Sequence, residues 1–218
     1  MLEAATGISK IVKPQVAYFE RFGARGYQAL TDVIQAAREH GLLVIADAKR
    51  NDIGSTIDAY SRAWLGDDAP MQVDAITVTP YLGFEALEPL FRRAVDSGSY
   101  VFVVARSSNP EGSQLQMHGA SPLWHTVLED IAEWSAKNGT NTIGAVVGAT
   151  VLTDLKYALD RLRTSYFLAP GIGAQGASIQ DVRRLGGGVE RVIASSSRAL
   201  ARHGPEVSNI RGALTQMQ

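Results

Sequence analysis

The stretch Val44-Ile45-Ala46-Asp47-Ala48-Lys49-Arg50-Asn51-Asp52-Ile53-Gly54-Ser55-Thr56 joins a short apolar run to an alternation of charge. A carboxylate ends the run, an ammonium follows two residues later, and a second carboxylate comes three after that. In a strand, side chains two apart point to the same side. Asp47 and Lys49 are therefore expected to project together, provided strand geometry persists through Ala48. Charges gathered at the end of a buried element perturb each other's pKa. Taken alone, the spacing D-x-K-x-x-D suits a solvated loop with surface charges better, so the surrounding pattern has to decide.

Working outward, short β-branched runs alternate with helical periodicity. Strands are predicted at Ile8–Val12, Leu42–Ala46, Ala75–Val78, Tyr100–Val104, Ile143–Val147, Tyr166–Leu168 and Arg191–Ala194. Most are continuously apolar, as expected of strands covered on both faces. Helices are predicted between them at Tyr27–Arg38, Ile57–Leu65, Phe84–Val95, Leu123–Trp134, Thr153–Leu162 and Ile179–Leu185, with a closing one from Glu206. Alternation of strand and helix argues for a parallel sheet and an α/β fold. No linker interrupts the chain, so residues 1–218 form one domain. A (β/α)8 barrel of the TIM type has eight strands and about 250 residues. Seven strands are countable here, so the barrel is expected to be incomplete, one βα unit short at its front.

In such folds chemistry collects at the carboxyl ends of the strands. Six of those ends are polar: Lys13-Pro14-Gln15, Asp47-Ala48-Lys49, Thr79 to Gly83, Arg106 to Pro110, Ala169 to Gly176, and Ser195 to Arg198. Gly171, Gly173 and Gly176 formally satisfy G-x-G-x-x-G. A dinucleotide fingerprint, however, belongs in the first βα turn with an acidic residue about 20 positions on. A phosphate cradle fits better, because glycines let backbone N–H groups approach an anion. A helix opening near Ser178 is expected to aim its N-terminus at the same anion, and Arg198 to clamp it.

Composition narrows the chemistry. Net charge is −1, which offers no global field to recruit nucleic acid or an anionic membrane. With no cysteine, disulfides, thiolate metal sites and cysteine nucleophiles are excluded, which fits a cytoplasmic location. His40, His118, His125 and His203 lack metal-ligand spacing and are expected to be structural or surface residues. No apolar run spans a membrane, and residues 1–7 do not read as a signal peptide. Trp64, Trp124 and Trp134 are expected in the core; Arg92-Arg93 and Arg183-Arg184 are expected on solvated helix faces.

With these segments in place, the chain resembles the orotidine 5′-monophosphate decarboxylase family, in particular its bacterial branch with the Asp-Ala-Lys-Arg-x-Asp-Ile-Gly-x-Thr signature. Segments that match, in order, are Lys13-Pro14-Gln15, Asp47 to Thr56, Thr79 to Gly83, Arg106 to Pro110, Val147 to Thr150, Pro170 to Gly176 and Ser195 to Arg198. The resemblance implies a (β/α)8 barrel, a homodimer with shared active sites, no metal and no organic cofactor. It implies a charged network of Lys13, Asp47, Lys49 and Asp52, with Asp52, Ile53 and Thr56 reaching into the partner's site. It makes Lys49 the proton donor to C6 of the pyrimidine as CO2 leaves. Asp47 would sit beside the departing carboxylate, and Lys13 would hold Asp47 and the ribose. Ser108 would bind the pyrimidine. Gln175 and Arg198 would grip the phosphate, with Pro170, Gly173 and Gly176 in the loop around it. Partners implied are orotidine 5′-monophosphate and a second copy, with no nucleic acid and no membrane.

One departure stands out. Family members begin with a further βα unit whose strand ends in an aspartate, and nothing here corresponds to it. Either the reading frame is truncated or the unit is absent. Absence would leave a gap beside Lys13, two open strand edges, weak stability and poor activity. Two other readings remain open: a Mg2+-dependent sugar-phosphate lyase of the same superfamily, such as a hexulose-phosphate synthase, and a non-catalytic nucleotide-phosphate binder.

Overall fold

The computed structural model describes residues 1–173 and 175–217. Ala174, inside the glycine-rich segment singled out above, lies outside the described residues. Seven strands appear: β1 Ile11–Val12, β2 Leu43–Arg50, β3 Ala75–Val78, β4 Tyr100–Arg106, β5 Ile143–Val147, β6 Phe167–Pro170 and β7 Val192–Ser195. They pair in sequence order, β1 through β7, and every pair is parallel. Parallel neighbours need a crossover between them. These are supplied by α2 Ala17–Glu20, α3 Gly23–Glu39, α4 Gly54–Trp64, α5 Glu88–Ser97, α6 Ser113–Gln116, α7 Leu123–Asn138, α8 Leu152–Arg161 and α9 Ile179–Arg183, while α1 Leu2–Ala5 precedes β1 and α10 Arg198–Ala201 and α11 Val207–Gln216 follow β7. No helix among the described residues is long and apolar enough to cross a membrane.

Alternation along each strand divides the core into two layers. One face carries Ile45, Ala75, Phe102, Val146 and Leu168, which pack on one another inside the curl of the sheet, with Ile11 and Ile193 at the margins. The other face carries Val44, Ala46, Ile76, Val78, Val101, Val103, Ala145 and Val147, in one cluster with Leu30, Ile57, Trp64, Phe91, Leu128 and Ile131 of the helices. Both faces are covered, and that is why β3 and β5 are buried at every residue and read as unbroken apolar runs.

Among the described residues the sheet is a curled half-barrel of seven strands, the incomplete barrel expected from the sequence. β1 and β7 each pair on one side only, and no strand among the described residues joins them. Both are correspondingly less buried than the central strands. The chain's ends meet near this opening: α11 packs on α1, and Arg211 donates to the Glu3 and Thr6 carbonyls, the latter at 2.8 Å.

Three expectations need adjustment. The first strand is confined to Ile11–Val12, because residues 2–8 coil into α1 and its turn, and the Ser9 hydroxyl folds back onto Ile11 N–H (3.1 Å) and C=O (2.7 Å). Strands β2 and β4 run on to Arg50 and Arg106, carrying charged residues into the sheet. Arg93 is not on a solvated face: its Nε donates to the Leu65 carbonyl at 2.6 Å and its Nη2 pairs with Asp68, tying α5 to the end of α4. Trp64 and Trp124 are core residues as expected.

Phe91 is fully buried on α5, its ring 5.0 Å from Phe84 and 5.4 Å, edge-on, from Trp134 of α7. Phe91→Ala should cost roughly 3–5 kcal/mol in urea unfolding, the usual result of emptying such a site. A loss under about 1 kcal/mol would mean that the α5–α7 contact is not the packing unit described.

Candidate active site

Asp47 is 8% exposed and lies at the carboxyl end of β2, on the face that curls inward. Its carboxylate accepts four hydrogen bonds. At Oδ2 the donors are Lys13 Nζ (2.5 Å) and Gln15 Nε2 (3.1 Å); at Oδ1 they are Lys49 Nζ and the Thr77 hydroxyl (3.1 Å). Backbone bonds from Asp47 N–H to the Pro14 carbonyl (3.0 Å) and from Val16 N–H to the Asp47 carbonyl (3.3 Å) lock the ends of β1 and β2 together. Lys13 is therefore carried to Asp47 by strand pairing rather than by reach of a long side chain.

Burial on its own pushes the Asp47 pKa up. The charges and hydrogen bonds of Lys13 and then Lys49 outweigh it, so the group is held below its ordinary value. Lys13 is nearly buried, whereas the Lys49 side chain is 48% exposed and faces the open end of the site. Two ammonium groups against one carboxylate leave the cluster with an excess positive charge, ready for an anionic reactant.

Asp47 and Lys49 do meet, but not by regular strand geometry. Ala46 pairs with Ile76 and Arg50 with Val78, so Asp47, Ala48 and Lys49 together face the single residue Thr77. This bulge places Lys49 at φ +46°, the one non-glycine residue with positive φ among those described. Such strain persists only where the surroundings over-determine it. Outside the sheet Arg50 pairs with Glu20, which also accepts from the Tyr27 hydroxyl (2.8 Å), while the guanidinium lies 5.3 Å from the Tyr60 ring centre and 5.9 Å from that of Trp64.

Asp52 is not part of this cluster within its own chain. Its Oδ1 accepts from Ile53 N–H at 2.9 Å, and it makes no ion pair among the described residues. Ile53 is 58% exposed and Thr56 is exposed as well. Tyr81 (74%) and Leu82 (50%), just past neighbouring β3, share that exposure.

Ser108 follows β4 in a loop organised by Arg106. The buried guanidinium reaches Asp154 (2.9 Å), Gln116 (3.1 Å) and Ser113 (3.3 Å), and Gln116 accepts from Ser107 N–H at 3.0 Å. Gly148, beyond β5, presses against this loop: a Cβ there would lie 2.8 Å from Ser108 Cα. The glycine-rich loop follows Pro170, whose register with Ser195 brings it beside Arg198. Gly173 N–H bonds to the Ala177 carbonyl (2.8 Å) and Gly176 N–H to the Gly173 carbonyl (3.1 Å), with both glycines at positive φ. Those N–H groups shape the loop. Gln175 and Arg198 are exposed, and the Arg198 side chain has no partner among the described residues. The expected help from a helix N-terminus is not found. α9 has five residues, and Asp181 closes a capping box on Ser178, so its first turn already carries an anion.

The structure thus gathers Lys13, Asp47 and Lys49, sets Ser108 beyond β4 and the loop from Pro170 at the end of β6 on the same edge of the sheet, and leaves Asp52 outside the cluster with Ile53 and Thr56 exposed. Gln15 and Thr77 were missed as site residues. Gln15 was discernible from its spacing, two residues from Lys13; a threonine inside an apolar strand carries no such signal.

A parallel α/β sheet curled into a half-barrel, with a lysine–aspartate–lysine cluster and a glycine loop at its carboxyl edge, defines a TIM-barrel-type enzyme by class. The chain belongs to the orotidine 5′-phosphate decarboxylase / HUMPS family, whose model matches residues 1–212. It is 44% identical to orotidine 5′-phosphate decarboxylase of Streptomyces coelicolor, over 98% of this chain and 78% of that relative. The Myxococcus xanthus enzyme of the same name is 40% identical, over 97% of this chain and 76% of the relative. A crystal structure from Streptomyces avermitilis, of a protein assigned as an orotidine 5′-phosphate decarboxylase, superposes with a TM-score of 0.90 at 42% identity, covering 99% of this chain and 77% of that one. The Methanocaldococcus jannaschii enzyme, at 18% identity and a TM-score of 0.75 over 100% of this chain and 90% of its own, shares the fold.

Because the folded pKa of Asp47 is depressed, its charge contributes stability fully above the unfolded value of about 3.9 and loses it as pH falls through the lower folded value. Wild type should therefore be more stable than Asp47→Asn at neutral pH, and the difference should shrink as pH drops from about 5 to about 2. Urea titrations across that range check it; a difference that grows on acidification would contradict the ionised, lysine-clamped carboxylate.

Proposed function

We propose that this chain decarboxylates orotidine 5′-phosphate to UMP in pyrimidine biosynthesis, with no metal and no organic cofactor. The observation that carries the reading is the Asp47 carboxylate held between Lys13 and Lys49 at the end of β2. Loss of CO2 breaks the C6–carboxylate bond and leaves its electron pair on C6, where no adjacent carbonyl delocalises it. Without a cofactor as electron sink, fixed cations must stabilise that pair. Lys49, exposed toward the open end, supplies the charge and then the proton that C6 takes up. Asp47 lies beside the departing carboxylate, so reactant repulsion is relieved as CO2 leaves. Lys13 fixes Asp47 and contacts the ribose.

Ser108 binds the pyrimidine, and Pro170, Gly173, Gln175, Gly176 and Arg198 surround the phosphate. Binding energy at that remote phosphate supports closure and orientation. Asp52, Ile53 and Thr56 serve the site of a second copy in a homodimer. That Asp52 makes no ion pair among the described residues, and that Ile53, Tyr81 and Leu82 are exposed, supports this arrangement. The enzyme is cytoplasmic, built on a single domain.

The sugar-phosphate lyase reading shares the family model, which covers both activities. Against it, both Asp47 oxygens are already saturated by four donors, two of them cationic, which leaves this carboxylate poorly placed to ligate Mg2+. Spectrophotometric conversion of orotidine 5′-phosphate to UMP tests the proposal. Turnover should survive EDTA, and Lys49→Ala should lower kcat by at least about 10²-fold. UMP binding with no CO2 release by the wild type would identify a non-catalytic binder instead. Mixing and refolding two inactive variants, Lys49→Ala and Asp52→Asn, should restore about a quarter of wild-type sites if each site draws Asp52 from the partner; no recovery would contradict shared sites.

A further inference from the structure

We infer that Thr77 is a positioning residue for the proton donor: its hydroxyl pins the β2 bulge that holds Lys49 against Asp47. The inference rests on the decarboxylase reading for its kinetic consequence but on geometry alone for its structural one. Thr77 is 1% exposed, on β3, and shares the inward face with Ala75. It is the only β3 residue opposite the three bulged residues, since pairing passes from Ala46–Ile76 directly to Arg50–Val78. Its hydroxyl accepts from the Lys49 backbone N–H at 3.0 Å and donates to Asp47 Oδ1 at 3.1 Å. One oxygen thus ties together the backbone of Lys49 and the carboxylate that its own ammonium contacts.

Two needs converge on that oxygen. A bulge removes Lys49 N–H from the sheet ladder, and a buried N–H without an acceptor is costly. Lys49 also sits at φ +46°, a conformation that a residue with a Cβ holds only under constraint. A hydroxyl at position 77 meets both needs, because it alone among small β-branched side chains can accept and donate at once. Valine has nearly the same shape and would fill the same space, leaving Lys49 N–H without its acceptor and Asp47 with three donors. The strand end would then relax toward regular pairing and carry the ammonium away from its present position. The phosphate loop, on β6 and β7, would be untouched.

The test compares wild type, Thr77→Val and Thr77→Ser in the full chain. Thr77→Val should lower kcat on the order of 10- to 100-fold, the equivalent of one hydrogen bond to a charged group, with KM within about twofold. Thr77→Ser keeps the hydroxyl and should retain kcat within about threefold, while amide hydrogen exchange at Lys49 should be faster in Thr77→Val alone. A Thr77→Val enzyme with wild-type kcat, or a Thr77→Ser enzyme as impaired as the valine variant, would overturn the inference; the serine arm decides it even if the valine variant does not fold. If wild type itself fails to turn over orotidine 5′-phosphate, the functional reading falls. The pinning role is then judged separately by Lys49 exchange, where unchanged protection in Thr77→Val overturns it.

Discussion

The buried Asp47 carboxylate is the constraint around which the rest is arranged. An ionised group in that position is tolerable only if its lone pairs are occupied and its charge is balanced. Four donors from three strands meet the requirement: Lys13 and Gln15 from the end of β1, Lys49 from β2 itself, and Thr77 from β3. The same bonds therefore join the start of the sheet and assemble the charged cluster proposed as the reaction centre. Fold and chemistry are not separable here, because the strand pairing that positions Lys13 is fixed by backbone bonds of Asp47.

The cluster also explains why the neighbouring loops are built as they are. The proposed reaction centre of fixed charges needs its substrate held in one orientation, which calls for ordered loops along the same edge of the sheet. Arg106 gives the Ser108 loop that rigidity through Asp154 and Gln116, and the Gly173–Ala177 and Gly176–Gly173 bonds give it to the loop after β6. By contrast, in the segment after β2 Asp52 bonds only to the Ile53 N–H among the described residues, and Ile53 is exposed. The open edges at β1 and β7 lie on the flank nearest Lys13, so the less buried part of the sheet adjoins its most charged part.

Much of this was legible in the sequence, for identifiable reasons. The central strands announced themselves because they are covered on both faces, and the polar strand ends marked the edge where the charged cluster assembles. β1 was blurred because a serine turn, rather than hydrophobicity, sets its start. Asp47 and Lys49 were rightly paired for an incomplete reason: alternation predicted that they share a side, whereas a bulge and a left-handed lysine bring them together. No periodicity rule can foresee a bulge, and a threonine in a strand looks ordinary until its hydroxyl is seen bridging two groups. Likewise, Ser178 and Asp181 are a recognisable capping box in hindsight, yet its consequence, a helix start already neutralised, emerges only in the fold.

The central claim is that Asp47 remains ionised inside the protein because Lys13 and Lys49 hold it so. Site-resolved carboxyl NMR of the Asp47 side chain through an acid titration measures this directly. The account predicts a midpoint below the ordinary aspartate value of about 3.9. A midpoint at or above that value would show that burial, not the lysines, governs the group, and would contradict the account.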